Sequence, residues 1–334
     1  MNMHRVSCIV HHIVDIPDRT SQIYSSSMKL FEGASQIQEK LQNPVVTIGN
    51  FDGVHLGHQA LFSKVIDRAH SINGVSVVYT FDPHPLKVLQ PHRPFPLITT
   101  REEKQQAIER YGIDVLIREH FTEAFAQLST ESFVGDILCG FIQAKEVFIG
   151  PDYRFGKGRK GTTDLLRSLG EQCGLKVNIL ENIEVGGVEV RSTMIRNLIL
   201  EGRVREATHF LGRPYSLKGK VITGHAIGRA IGIRTANLDP EKELYPRSGI
   251  FAVRVLFDGN CAKGVLNIGS NPTFPGKGFS IEVHILDFAQ DLYGSQIELI
   301  FIQKLRDEEK FESPERLVEQ IRKDIEETRK VLKS

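Results

Sequence analysis

Two histidines three residues apart, His55 and His58, lie in the run Gly49-Asn50-Phe51-Asp52-Gly53-Val54-His55-Leu56-Gly57-His58, directly after the apolar stretch 45–48. At a helix start this spacing puts both imidazoles on one face, beside free backbone N–H groups that attract phosphate. Gly57 between them lets a nucleotide approach the backbone closely. Adenylyl transfer moves negative charge onto the α-phosphate and the departing pyrophosphate, so donors aimed at those oxygens are its main requirement. His55 and His58 are the candidate catalytic donors, with Gly49, Asn50 and Phe51 beside them in an ATP-binding turn. No protein nucleophile is needed if the acceptor's own phosphate attacks in line. The bland alternative is two solvated histidines in a surface turn, and the strand before and helix after weigh against it.

A second phosphate site is suggested by Arg191-Ser192-Thr193-Met194-Ile195-Arg196, where Ser192 or Thr193 opens a helix after a strand at 188–190. Hydroxyls, N-terminal amides and Arg196 suit β- and γ-phosphates. Taken alone, the segment is a common helix cap with an exposed arginine. The stretch Pro151-Asp152-Tyr153-Arg154-Phe155-Gly156, with Gly158 and Gly161, is a basic-aromatic loop that suits a flat ring and a phosphate, or an ordinary surface loop. Residues 156–163 nearly spell a phosphate-binding glycine loop, but Thr162 stands where lysine is required, which excludes it. Thr80-Phe81-Asp82-Pro83-His84-Pro85 either lines the same crevice or is a rigid proline turn.

Further on, Gly224, Gly228 and Gly232 recur at fours directly before Ile233-Arg234-Thr235-Ala236-Asn237. Such a loop folds over phosphates through its N–H groups, and Thr235 and Asn237, two apart on extended chain, point the same way with one oxygen each. A magnesium ion already bridging ATP phosphates needs little more. Glu282 lies in the alternating stretch 280–286, on the face shared with His284, where a carboxylate can take a hydroxyl proton during phosphoryl transfer. Without context these residues are a turn, a polar strand edge and a charge on a wet face.

The elements around these residues fall into two kinds. From residue 45 short apolar runs at 45–48, 75–80, 115–117 and 147–149 alternate with helical patterns at 58–69, 133–141 and from Thr100 to near Tyr111, the last opened by a Thr100/Glu103 capping box. Strands separated by helices imply a parallel sheet covered on both faces. After Gly212-Arg213-Pro214 come strand-like runs at 218–223, 250–257, 262–268, 280–286 and 297–302, with Asp258-Gly259 as a tight hairpin. That half is expected to be an antiparallel sheet or small barrel, packed by a helix that Ser313 caps, Pro314 opens and Leu317, Ile321 and Ile325 stripe.

With 334 residues the chain has room for two domains, and 42 Lys plus Arg against 41 Asp plus Glu argue against nucleic acid or an anionic membrane as partner. The apolar stretches are short and broken by charges, so none is expected to cross a bilayer. Cys8, Cys139, Cys173 and Cys261 show no C-x-x-C pair and predict neither a disulfide framework nor a zinc site, in keeping with a reducing cytoplasm. The expected division is a candidate disordered extension at 1–27, a first domain at 28–203, a linker at 204–212 and a second domain at 213–334. The Ser25-Ser26-Ser27 run before Met28 raises the expectation that translation begins at Met28.

Together, G-N-F-D-G-V-H-L-G-H, T-F-D-P-H-P, G-P-D-Y-R-F-G-K-G-R-K-G and S-T-M-I-R resemble the bacterial bifunctional riboflavin kinase/FMN adenylyltransferase family, or FAD synthetases. G-R-P-Y, the glycine loop, T-A-N, G-V-L-N-I-G-S-N-P-T-F, E-V-H-I-L-D-F, D-L-Y-G and L-R-D-E-E-K-F follow in the order of riboflavin kinase domains, so the resemblance spans about residues 45–330. It implies an α/β Rossmann-like nucleotidyltransferase domain followed by a small antiparallel β-barrel with a C-terminal helix. It also implies ATP phosphates held by His55, His58, Ser192, Thr193 and Arg196, flavin near Asp152 and Phe155, Mg2+ and ATP near Thr235 and Asn237, and Glu282 as base for riboflavin's ribityl hydroxyl. The implied substrates are riboflavin, FMN and ATP and the products FMN and FAD; the expected setting is cytoplasmic, with a weak homo-oligomer as an open expectation. Arg191 stands where the family has serine, and Arg234 where it has proline; the second exchange removes a fixed dihedral and predicts a looser loop. A flavin-nucleotide-binding regulator without turnover, or a different nucleotidyltransferase with an accessory barrel, are the rival classes.

Overall fold

Strand β2, Val45–Ile48, is buried along its whole length, as a central parallel strand covered on both faces must be. The computed structural model describes residues 28–181, 183–223, 233–270 and 279–333. The expected extension at 1–27 and Gly224, Gly228 and Gly232 lie outside the described residues. Two compact units are distinguished: one holds the described chain from Met28 to Phe95 together with Thr99–Arg191, the other holds Pro96–Ile98 together with everything described from Ser192 onward.

The first unit is built on a six-stranded, all-parallel sheet in the order β1-β4-β3-β2-β5-β6. Its remaining strands are β1 (Lys29–Phe31), β3 (Ser76–Asp82), β4 (Val115–His120), β5 (Glu146–Ile149) and β6 (Lys176–Ile179). Alternating side chains feed two separate cores. Val46, Val77, Tyr79, Ile117 and Val147 pack with Phe133, Leu138 and Leu166 on one face. Val78 and Leu116 pack with Phe62, Ile66 and Ile108 on the other. The second set comes from the helices Leu56–Ser71 and Arg101–Arg110. The expected capping box is present: Glu103 N donates to Thr100 Oγ1 and Thr100 N to Glu103 Oε2, both at 3.1 Å.

Two expectations need correction in this unit. The segment Phe133–Phe141 is helical with π-type turns, and Cys139 within it is disulfide-bonded to Cys173, Cα–Cα 6.3 Å. Residues 34 apart in sequence are brought together because the segment and the helix Thr163–Glu171 cover the same sheet face, a proximity that Cys spacing alone does not reveal. The strand expected at 188–190 is a two-residue arm, β8 (Val188–Glu189), of a hairpin with β7 (Glu184–Val185). Gly186 and Gly187 turn it with φ of 61° and 75°, a conformation that favours glycine.

In the second unit six antiparallel strands close a barrel in the order β10-β13-β12-β11-β14-β9. They are β9 (Ser216–Ile222), β10 (Ala236–Pro240), β11 (Gly249–Phe257), β12 (Asn260–Gly269), β13 (Ser280–Ile285) and β14 (Gln296–Arg306). Closure removes the open edges that a small sheet would otherwise present. Asp258 and Gly259 form the expected tight turn, with φ of 46° and 74°. The helix Pro314–Val331 is capped by Ser313 as expected and lies against the barrel, with Ile325 packed on Ile250, Val265 and Leu286. The stretch expected as a linker is instead the helix Val204–Leu211, which buries Val204, Ala207 and Leu211 and ends on Gly212 at φ 72°. No helix of the described residues is long and apolar enough to cross a membrane.

Candidate active sites

In an open parallel sheet, ligands bind beyond the carboxyl ends of the strands where the strand order reverses. Here the chain moves outward from β2 through β3 to β4 and then returns to the other side of β2 with β5, so that point lies between β2 and β5. Thr47 pairs with Phe148, and both strands end within two residues of that pair. The turn 49–55 leaves β2, and the loop 150–162 leaves β5, at the same end of the sheet.

His55 is the N-cap of the helix Leu56–Ser71 and is buried. Its ring stacks on His58, centroids 3.6 Å apart, and Phe51 meets His58 edge-on at 5.1 Å. Close packing explains two glycine positions. A Cβ on Gly49 would lie 2.9 Å from the Phe51 ring, and one on Gly57 would lie 3.2 Å from His55 Cε1. Phe51 and Val54 both adopt positive φ, 50° and 42°, which folds the turn back over the helix start. Gly57 thus serves the histidine pair itself as well as any approaching ligand. Burial, then the neighbouring His55, then Lys104 hold the His58 imidazole well below the ordinary histidine range, and its Nδ1 is buried without a hydrogen-bond partner. A stacked, buried pair offers N–H donors whose direction is fixed by packing.

The turn is stitched to the helix Arg101–Arg110. Gly53 N donates to Thr99 Oγ1 at 3.1 Å, and Thr99 N donates to Asp52 Oδ1 at 3.2 Å. The sequence does not single out Thr99 or Lys104, although the capping box at Thr100 marks the helix that Thr99 immediately precedes and that carries Lys104. His84 of the proline turn caps the helix Pro85–Leu89, its Nδ1 accepting from Leu86 N, and packs on Phe95 at 4.6 Å.

The two expected flavin residues sit in different surroundings. Phe155 is buried in the core, ring to ring with Phe133 at 5.5 Å and Tyr153 at 5.7 Å, and pairs with Gly161. Asp152 is exposed and meets Arg191 at 3.5 Å, while Arg191 also pairs with Glu189 at 2.7 Å. The guanidinium that replaces the family's serine is therefore engaged by two carboxylates.

In the second unit, Ser192 and Thr193 open the helix Ser192–Leu200, as expected. Arg196 is buried, and its Nε donates to the Pro96 carbonyl at 2.8 Å. In the barrel, Asn237 of β10 and Asn267 of β12 flank Glu282 of β13 in register. Thr235 Oγ1 donates to Glu282 Oε2 at 3.2 Å and Ser280 Oγ to Oε1 at 2.9 Å, with Asn237 and Glu282 both buried. The structure thus brings Thr235, Asn237 and Glu282 together and adds Asn267 and Ser280, whose cross-strand register the sequence does not display. A buried carboxylate ringed by hydroxyls and amides is an oxygen-rich site suited to a hard cation and to accepting a proton. The loop around Arg234 is tied on both sides: His284 Nδ1 donates to the Arg234 carbonyl at 2.8 Å, and Arg234 Nη1 donates to the Ala289 carbonyl at 2.8 Å. Those two bonds offset the fixed dihedral that proline would have supplied.

Comparison with known proteins matches two modules in succession along the chain. A model of FAD synthetase matches residues 37–194 and a model of riboflavin kinase residues 211–332. The bifunctional riboflavin kinase/FMN adenylyltransferase of Buchnera aphidicola subsp. Schizaphis graminum is 37% identical, covering 90% of this chain and 97% of its own. That of Escherichia coli K12 is 35% identical, covering 89% and 96%. A solved Streptococcus pneumoniae structure described as a macrolide-efflux protein is 33% identical with a TM-score of 0.81, covering 91% of this chain and 99% of its own. Two module matches in order and relatives matched over nearly their full length agree: the chain belongs to the bifunctional riboflavin kinase/FMN adenylyltransferase family.

Proposed function

We propose that the chain makes FAD from riboflavin in two ATP-dependent steps, with the residues described above doing the chemistry. In the kinase step riboflavin's ribityl hydroxyl oxygen attacks the γ-phosphorus of ATP, the bond to the β-phosphate oxygen breaks, and ADP leaves. Glu282 takes the hydroxyl proton, and its oxygen-rich surroundings support a role as base. Thr235 and Asn237 are the residues that would hold Mg2+ together with the ATP phosphates, and the cation would neutralise charge on them. Gly224, Gly228 and Gly232 are assigned to the ATP loop on the sequence resemblance alone.

In the second step a phosphate oxygen of FMN attacks the α-phosphorus of ATP, and the bridging oxygen departs with pyrophosphate. His55 and His58 donate to the oxygens on which charge grows, supported by their stacked, buried geometry at the switch point of the sheet. Gly49, Asn50 and Phe51 shape the same turn. Ser192, Thr193 and Arg196 are assigned to ATP phosphates on their motif and helix start, and Asp152 and Phe155 to the flavin on the resemblance and their loop after β5. The adenylyltransferase module is taken as 28–203 and the kinase module as 213–334, in line with the two matches.

A nearly neutral chain supports small molecules as partners and neither nucleic acid nor membrane, and it is compatible with a weak homo-oligomer. Use of ATP in both steps supports a cytoplasmic setting. Two nucleotide-handling clusters, each inside its own family match, carry the assignment. Incubation with riboflavin, ATP and Mg2+ followed by chromatographic separation is expected to show FMN first and FAD after it. A protein that binds flavin and releases neither product would be a regulator and would defeat the proposal.

A further inference from the structure

Lys104 occupies an unfavourable place for an ammonium. It lies in the first turns of the helix Arg101–Arg110, where the helix dipole opposes positive charge, and it is only partly exposed. All three of its protons are nevertheless used. Nζ donates to the Asn50 carbonyl at 3.3 Å, to Thr80 Oγ1 at 3.3 Å and to the Phe81 carbonyl at 3.2 Å. Thr80 Oγ1 in turn donates to the same Asn50 carbonyl at 3.2 Å. One ammonium therefore joins the end of β3 to the first residue of the turn that carries His55 and His58. A helix built only for stability would place an apolar or acidic residue there.

We propose that Lys104 is a positioning residue for adenylyl transfer, its ammonium fixing the Asn50 turn and hence the direction of the His55–His58 pair. The inference rests on the assignment of that pair to the adenylyl-transfer site. A second effect acts through charge. His58 faces His55 and Lys104, and Lys104 is one of the causes that keep its imidazole below the usual range, after burial and His55. Lys104 itself is lowered by burial, offset by Asp82 and Asp52 and reinforced by Arg118 and Arg101. Arg101 lies 3.4 Å from Asp82, and Arg118 is bonded to Glu32 at 3.0 Å, so these two arginines have carboxylate partners of their own. Removing the ammonium lets the His58 value rise, and the imidazole then protonates at a higher pH.

The test compares wild type with Lys104→Met and Lys104→Arg, following FAD formation from FMN and ATP across pH, with riboflavin phosphorylation in the same samples as reference. Misplacing a catalytic group by about 1 Å costs on the order of 100-fold in rate, so Lys104→Met is expected to lose between about 10- and 100-fold in kcat/KM for FAD formation. Its acid limb should move to higher pH while phosphorylation stays unchanged. Lys104→Arg keeps the charge but not three donors on one atom, so its acid limb should stay in place while its rate falls several-fold. Wild-type kcat/KM and acid limb in Lys104→Met would overturn the inference; if that variant does not fold, a displaced acid limb in Lys104→Arg overturns it, and a limb left in place with a reduced rate supports it. A wild type that phosphorylates riboflavin but forms no FAD would instead remove the underlying assignment and the inference with it.

Discussion

A stacked pair of imidazoles at van der Waals distance is a demanding object, because each ring's direction depends on the other and on the small residues around them. Gly57 is the most sensitive of those residues. A Cβ there would meet His55 Cε1 and Nδ1 at 3.2 Å, closer than most real contacts, in a ring that is itself buried. Gly57 is the second residue of its helix, where alanine still has the higher helix propensity, by at most roughly 0.5–1 kcal/mol. Local stability and function therefore pull in opposite directions at one position. Gly57→Ala is expected to lower FAD formation about 10-fold. Thermal unfolding of the protein should be unchanged or slightly raised. Coupled measurement of rate and melting temperature checks this, since a merely structural role for Gly57 predicts that both fall together.

At the scale of elements, burial of charge decides what holds the C-terminal helix to the barrel. Its apolar stripe is only half-buried, whereas Asp324 is 5% exposed and takes a two-pronged bond from Arg306 of β14, Nη2 to Oδ2 at 2.8 Å and Nε to Oδ1 at 3.0 Å. Gln320 Nε2 adds a third donor at 3.0 Å. Removing one partner of such a pair leaves an uncompensated buried charge and costs about 3–5 kcal/mol. Asp324→Ala is expected to destabilise the kinase module by about 3 kcal/mol, read as a lower denaturation midpoint, whereas Asp324→Asn should cost less because it still accepts a bond. This interaction illustrates what is and is not legible in a linear sequence. The 3.6-residue stripe Leu317, Ile321 and Ile325 and the Ser313-Pro314 start identify the helix, but nothing in the spacing pairs Asp324 with a residue eighteen positions earlier on a strand. The same holds at the sites: period and capping place β2, the helix after it and the Thr100 capping box, because these depend on local chain chemistry. Lys104 on Asn50, Asn267 opposite Glu282 and Cys139 beside Cys173 depend on strand order and register, which are set by packing. The edge strands β1 and β6 do not stand out in sequence because, unlike the equally short but wholly buried β2 and β5, they are exposed or only half-buried and mix charged and polar residues with apolar ones.

For the molecule as a whole, the His55–His58 pair and Glu282 lie in different compact units with separate cores, so loss of one of these groups should leave the other's chemistry intact. Glu282→Gln removes the proton acceptor but keeps the side chain's size and polarity, with one amide oxygen to accept a hydroxyl bond and an NH2 to donate to the other hydroxyl, so it is expected to abolish FMN formation and to adenylylate supplied FMN normally. His58→Ala removes one donor at the switch point of the parallel sheet, and riboflavin should then accumulate as FMN. Neither variant alone converts riboflavin to FAD. Mixed in one tube with riboflavin, ATP and Mg2+, they should restore FAD, because FMN made by His58→Ala diffuses to the intact adenylyltransferase of Glu282→Gln. The rate of recovery should rise with the concentration of the second variant, as expected for a freely exchanged intermediate. A mixture that fills with FMN and forms no FAD, while Glu282→Gln still converts added FMN, would mean that FMN does not leave the protein that makes it.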